Sequence, residues 1–408
     1  MAGLALVGCG PPAPSPAAPS DVDTSVAEPA LLVATGGRPA AVGSAAPPIA
    51  TDPGDNSDPS RKEIAADRVA GPREYGMLSE VVLTRKVWEL MRAPSVVASP
   101  QDYKRWRLKR QIRVGQSHLS DAGFFPDERR AFVVGGGEGR IRVYDVASGQ
   151  LLSKAPVPGF KAWGRANFGL WPSDESTLGA LVIQAGEGAT QLLDPTSGQT
   201  VRQLTEDPAW DLRWTAQREF LGAVQSAIPA QTSTLSFYSP DATLAMQLSS
   251  RERIDDWALS ADGKLLAVTY YPSNSVEVID LPGGKVLYTA GVPQYTNSLD
   301  FSPDGSYLAA AGAETVVMRA RDGGDRKYFR KQGNNAHRVR FSPSGDALAV
   351  SAYDGHARIL KVGSSDELSL ERDLRHAGTA NVYAVEFTRD GSALLTSSGD
   401  QTLRIWGK

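Results

Sequence analysis

From about residue 105 the chain alternates apolar and polar positions in short runs, such as Ile141-Arg-Val-Tyr144, Val276-Glu-Val-Ile279 and Leu403-Arg-Ile-Trp406. A period of two puts alternate side chains on opposite faces, so each run predicts a β-strand. Continuous apolar runs such as Leu308-Ala-Ala-Ala and Ala347-Leu-Ala-Val-Ser351 predict strands buried on both faces. These runs recur in a fixed order. An anchor ends each first strand, at Phe124, Trp171, Trp214, Leu259, Phe301, Phe341 and Phe387, and a turn follows it, as in Phe301-Ser-Pro-Asp-Gly. A second strand, a Gly/Asp turn and a third strand come next. A second turn such as Ser148-Gly-Gln or Ser197-Gly-Gln then opens a fourth strand. The anchors stand 40 to 47 residues apart.

Four short antiparallel strands per repeat make one propeller blade, and the period fits blade length. Seven anchors predict an all-β, seven-bladed β-propeller over residues 105–408. The last copy, Ser398-Gly-Asp400-Gln-Thr-Leu-Arg-Ile-Trp406, resembles the WD40-repeat family. The family's turn aspartate and strand-three tryptophan match at Asp400 and Trp406. His376 stands where its Gly-His histidine does, and Ser397 stands near its hydroxyl position. The resemblance implies a hydrogen-bonded tetrad of these four side chains that stiffens the blade. Other copies depart from it: Glu138 and Tyr144 replace Asp and Trp in the first, and Leu360 replaces Trp in the sixth. The chain stops after a third strand. The alternating run at 105–113 therefore supplies the missing outer strand and closes the ring, as WD40 propellers do. Its Lys and Arg content suits an exposed edge better than an anion site.

Upstream the pattern changes. Residues 76–92 place Leu83, Val87, Leu90 and Met91 at helical spacing, and Ser79 could cap them, so a short amphipathic helix is expected within an extension over 75–104. Residues 10–74 hold no aromatic residue and are rich in Pro and Ala. Such a segment buries too little apolar surface to offset its ordering entropy, so a disordered linker is expected. Residues 1–9 end in Leu6-Val-Gly-Cys9, which resembles the lipobox of bacterial lipoproteins, although no Lys or Arg precedes the apolar stretch. The resemblance implies a signal segment, lipidation of Cys9 and a lipid-anchored protein of the bacterial cell envelope. The rival reading is an unmodified cysteine and a cytoplasmic protein.

Composition narrows the chemistry. Cys9 is the only cysteine, so no intrachain disulfide or thiolate metal cluster can form. The net charge of −3 gives no general attraction to nucleic acid. The four histidines show no metal spacing and no nucleophile elbow occurs, so no catalytic, cofactor or metal residues are assigned. In the resembled family the innermost strand carries a bulge whose side chains face the channel mouth. Counting four residues before each anchor gives Ser120, Asn167, Trp210, Asp255, Asn297, His337 and Tyr383. Trp, Tyr and His at one mouth suit a binding hot spot. The expected function is a monomeric, non-catalytic scaffold that binds a protein or peptide partner there and meets the membrane only through its lipid. Two rivals stay open. Blade four, Asn274 to Lys285, looks like the YVTN propeller repeat, whose relatives include lactonases with a channel metal; in the counted ring only Asp255 could serve as an acidic ligand. A TolB-like transport accessory would need six blades and a second domain.

Overall fold

The computed structural model describes residues 77–408 apart from 84, 92–97, 116–118, 126, 136–138, 157–168, 171–180, 185–189, 195, 206–208, 210, 216–219, 228–231, 240–242, 332 and 334. All of these lie within the unit Glu63–Lys408. The segments 1–9 and 10–74, with Cys9, lie outside the described residues, as do Asn167, Trp171 and Trp210.

Seven antiparallel sheets follow one another along the chain as seven propeller blades. Blade four shows the pattern. Arg253–Leu259 is innermost, followed outward by Leu265–Tyr271, Ser275–Asp280 and Lys285–Gly291. The two middle strands are almost wholly buried and the outer strand is half-exposed. Both faces of the middle strands pack on neighbouring blades, which is why they read as apolar runs.

There is no single core. One cluster joins Ala258, Ala267 and Val278 of blade four to Leu299, Leu308 and Val316 of blade five. Another joins Ala309 and Val317 of blade five to Val339 and Val350 of blade six. Each wedge needs two blades. Between blades three and four the wedge is aromatic: Trp257 meets Phe237 edge-on at 5.0 Å. Gly222 lies directly beneath the Trp257 ring, and any side chain there would collide with it.

The anchor turns repeat one hydrogen-bond set. After Phe301, Asp304 Oδ1 accepts from Ser302 Oγ at 2.6 Å and from Ser306 N at 3.0 Å. Ser302 Oγ in turn accepts from Tyr307 N at 2.9 Å. Ser260 with Asp262 and Thr388 with Asp390 do the same. The Ser/Thr-x-Asp-Gly signature thus encodes a turn that satisfies its own polar groups.

Arg107–Arg113 pairs antiparallel with Thr402–Gly407 and becomes the outer strand of blade seven, so the ring is closed by the two ends of the repeat region. Trp106, just before it, is fully buried beside Tyr103, at 5.0 Å, and Phe387, at 6.2 Å.

The expected helix over 76–92 is corrected. Leu78–Leu83 is a strand paired with Leu244–Ser250, a fifth strand on the outside of blade three. Helix is confined to the single turn Val87–Leu90. Val-Val-Leu at 81–83 has β propensity, and an open sheet edge offers it backbone partners that a lone short helix lacks. Met77 N–H is held by both oxygens of Glu277, at 3.1 and 3.2 Å, and Tyr270 Oη donates to the same carboxylate at 3.0 Å. Val87 and Met91 then pack into the wedge between blades three and four.

Blade seven contains the tetrad, with one correction. Trp406 Nε1 donates to Thr396 Oγ1 at 2.8 Å, and His376 Nε2 meets that hydroxyl at 2.8 Å. On its other side His376 Nδ1 faces Asp400 Oδ2 at 3.4 Å. The hydroxyl is therefore Thr396, not Ser397, whose buried oxygen has no hydrogen-bond partner. Strand alternation explains the slip: one position along a strand is the other face. Burial holds His376 below the ordinary histidine range despite Asp400. Burial pushes the Asp400 carboxyl up, but bonds from His376, Thr402 and the Ala377 amide outweigh it and hold the group low.

Two expectations follow from this packing. Because folded His376 refuses a proton that the unfolded chain accepts, its contribution to stability is complete above about pH 6.5 and is lost as pH falls below it. Thermal melts of wild type and His376→Asn from pH 7.5 to 5.5 should therefore draw closer together as the pH falls. Trp106→Ala empties a buried aromatic site and should cost about 3–5 kcal/mol in chemical denaturation.

Candidate functional site

Strand direction alternates within a blade. Connections from second to third strands, and from each outer strand to the next inner one, therefore share one end of the ring, here called upper. The anchor turns lie at the lower end. Four of the counted residues fall at the upper end, on bulges. Pairing skips Ser120 between Leu119 and Asp121, Asp255 between Ile254 and Asp256, His337 between Ala336 and Arg338, and Tyr383 between Val382 and Ala384. An inserted residue re-aims its own side chain away from the strand's alternation. Asn297 sits just before its inner strand, with its amide bonded to Ala311 O at 2.9 Å.

Two of these side chains reach sideways. Asn297 Nδ2 donates to Ala336 O at 2.9 Å, and His337 Nδ1 donates to Tyr383 O at 2.8 Å, each tying its blade to the next. His337 is also ringed edge-on by Tyr353, at 5.4 Å, and Tyr383, at 5.5 Å. Asp255 accepts two bonds from Arg253, whose guanidinium lies 4.2 Å over the Tyr271 ring.

Counting missed two upper-end tyrosines. Tyr271 is 48% and Tyr295 60% exposed. Tyr295 has φ +56, a left-handed conformation that is costly for a bulky residue. Asn274 holds it there: its Oδ1 accepts from Tyr295 N at 3.2 Å and its carbonyl from Val292 N at 3.0 Å. The loop rests on Gly312, where a side chain would strike the backbone of Gln294 and Tyr295.

Below the mouth lies a layer that counting also missed. One and three residues before the anchors, inner strands carry Asp121, Asp211, Arg213, Asp256, Asp300, Arg338, Arg340 and Glu386. Arg213 forks onto Asp256, at 2.8 and 3.4 Å, and also reaches Leu299 O at 3.4 Å. Its guanidinium stacks 4.6 Å over Trp257. Arg338 of blade six crosses to Asp121 of blade one at 2.8 Å, spanning blade seven. The carboxylates also bind the next blade's backbone. Asp256 accepts from Leu299 N, Asp300 from Phe341 N at 2.7 Å, and Glu386 from Phe124 N at 2.9 Å. Burial pushes Asp256 up to about 6, against Arg213 and with Asp211 adding repulsion. Burial also raises Asp300, against Arg340 and its amide bonds. The signal for this layer was present, as charge alternating with apolar residues in Arg338-Val-Arg-Phe341 and Ser298-Leu-Asp-Phe301. Despite these carboxylates, no group of three His, Cys, Asp or Glu among the described residues is placed to hold a metal ion.

Arg213→Met should strand the Asp256 carboxylate. It should cost about 3–5 kcal/mol at pH 8, as other broken buried pairs do. Asp256 is already raised to about 6, and without Arg213 it rises further, so at pH 5 it is neutral and the loss should shrink. Denaturant titrations at the two pH values measure the difference.

Comparison with known proteins agrees with this geometry. The family model WD40 (WD domain, G-beta repeat) matches residues 284–318 and 369–407. Each match spans the outer strand of one blade and the inner three of the next, the same offset by which Arg107–Arg113 closes the ring. Actin-interacting protein 1 of Drosophila melanogaster is 34% identical over 128 residues, covering 30% of this chain and 21% of that protein. WD repeat-containing protein 1 of Mus musculus is 28% identical over 160 residues, covering 38% and 26%. An uncharacterized WD repeat-containing protein of Synechocystis is 32% identical over 143 residues, covering 34% and 40%. The chain thus spans less than half the length of the relatives it matches. Family match and relatives together make this chain similar to WD40-repeat proteins over those segments.

Proposed function

We propose that this protein is a non-catalytic scaffold that holds a protein or peptide partner at the upper end of its propeller. The observation that carries the reading is the set of aromatic side chains at that end: Tyr271 and Tyr295 exposed on a braced loop pair of blades four and five, and the Tyr353, His337 and Tyr383 cluster of blades six and seven. Tyrosine gives large, rigid contact area at low entropic cost, and anchors already held in place lower the cost of binding. The WD-repeat relatives, one of them named for its interaction with actin, favour protein partners in general. The Leu6-Val-Gly-Cys9 pattern favours a lipid tether that would hold this scaffold in a bacterial envelope.

Crosslinking capture from native cells should compare wild type with a Tyr271→Ala, Tyr295→Ala double variant. Both side chains are exposed, so the variant should melt within about 1 °C per few tenths of a kcal/mol of wild type. A protein captured by wild type and lost with the variant is the expected result. Equal capture by both would remove the tyrosine surface from the reading. The tether has its own check: metabolic labelling with a fatty acid should mark the full-length protein, and Cys9→Ala should abolish the mark.

A further inference from the structure

The net charge of −3 is not spread evenly over the ring. The outer strand of blade seven, Arg107–Arg113, carries Arg107, Lys109, Arg110 and Arg113, all exposed, and no acidic residue. The outer strand of blade one, Leu151–Pro156, adds an exposed Lys154 and again no acidic residue. The ion pairs just before Arg107 belong to Lys104, with Glu371, and to Arg105, with Asp102. Arg107, Lys109 and Arg113 form none among the described residues. Three leucines stand among these charges: Leu108 is 41%, Leu151 44% and Leu152 50% exposed. The two edges are neighbours. Arg110 Nη2 donates to Ala147 O, and the side chains of Arg110 and Ile112 lie against Gly149, just before Leu151. They are also in register. Leu108 pairs with Trp406 and Leu151 with Tyr144, the same position of each third strand, at the lower end. Pairing then skips Lys109 and Leu152, so both edges bulge at one level. Edge protection accounts for the Lys and Arg but not for the leucines, because charge blunts an open edge and exposed apolar residues make it adhesive. The outer strand of blade four, by contrast, keeps Val286, Leu287 and Tyr288 half-buried. Leu370 of blade six is exposed as well, but Glu371 and Asp373 offset Arg372 and Arg375 on its strand, so the basic surface ends at blade seven.

We propose that the lower outer edge of blades seven and one rests on a membrane surface of anionic phospholipid, with Leu108, Leu151 and Leu152 entering the headgroup boundary and Arg107, Lys109 and Arg113 meeting the phosphates. An anionic leaflet attracts clustered Lys and Arg within a Debye length of its surface. Apolar side chains set among the charges gain burial there that a soluble polyanion does not offer. The complementarity is local, since neither strand carries an opposing carboxylate. The contact uses the ring itself, and it stands apart from lipidation of Cys9 and from the tyrosine surface.

The test uses purified full-length Cys9→Ala protein, which can carry no acyl chain on that residue, sedimented with vesicles of phosphatidylcholine alone or mixed with phosphatidylglycerol. It should bind the mixed vesicles only, and added salt should weaken the binding. In that background, Arg107→Gln with Lys109→Gln should weaken it about tenfold or more. Leu151→Ser with Leu152→Ser should also weaken it, at unchanged charge. Lys285→Gln with Arg319→Gln removes the same charge from exposed positions of blades four and five and should leave it unchanged. The two rim variants lie on different strands, so if one disturbs its own edge the other still tests the surface. No binding to the mixed vesicles, or equal binding by the folded rim variants, overturns the proposal. Loss with the charge variant but not with the leucine variant would assign the surface to a soluble polyanion and overturn the lipid reading. The Tyr271→Ala, Tyr295→Ala variant should bind vesicles unchanged, so this proposal and partner capture fail separately.

Discussion

A blade of this ring cannot cover its own apolar faces. Among the described residues the clusters of buried side chains are shared between neighbours: blades three and four around Trp257, four and five around Leu299, six and seven around Trp106 and Trp406. Stability in such a structure comes from interfaces rather than from units. The pairing of Arg107–Arg113 with Thr402–Gly407 is therefore the contact that joins the two ends of the ring, and Ile112 carries it into the cluster shared by blades seven and one. The inner carboxylates serve the same end by a polar route. Asp256, Asp300 and Glu386 each satisfy a backbone amide of the following blade. They fix how far neighbouring inner strands can slide, at the expense of burying charge.

The interfaces also explain where function can sit. Middle strands are consumed by packing, and the lower turns spend their Ser, Thr and Asp side chains on themselves. What this leaves to meet other molecules includes the upper end, where Tyr271 and Tyr295 are exposed. At the upper end the chain invests in rigidity: Asn274 and Gly312 hold Tyr295 in a conformation it would not choose alone. Strain kept in this way is found where a side chain must be presented.

Much of this was legible in the residues. The anchors, the Ser-x-Asp-Gly turns and the alternating third strands each encode a local solution, so blade number and ring closure could be read directly. Two failures came from contacts that local pattern does not record. The segment at 76–92 carries helical spacing, yet an open edge on Leu244–Ser250 draws Leu78–Leu83 into a sheet. Ser397 and Thr396 are equally plausible hydroxyls by type, and only the face of the strand separates them. At the channel, counting to the bulge located Asp255, His337 and Tyr383 but stopped one layer short. The alternation of Arg338 and Arg340 with Val339 was visible, but which charges meet across blades is decided by ring geometry that no single repeat contains.

Closure by the first and last strands of the repeat region also imposes an order in time. As the chain leaves the ribosome, Arg107–Arg113 emerges with nothing to pair, and six blades can be finished before its partner exists. Until residues 402–407 appear, the nascent ring has two open flanks, one of them the inner face of blade one, with Leu119, Ala122 and Phe124 uncovered. That surface stays uncovered for the whole span of synthesis between the two strands. The run of Lys and Arg on the waiting strand is suited to that interval, because it repels other copies of itself while its own partner is still being made.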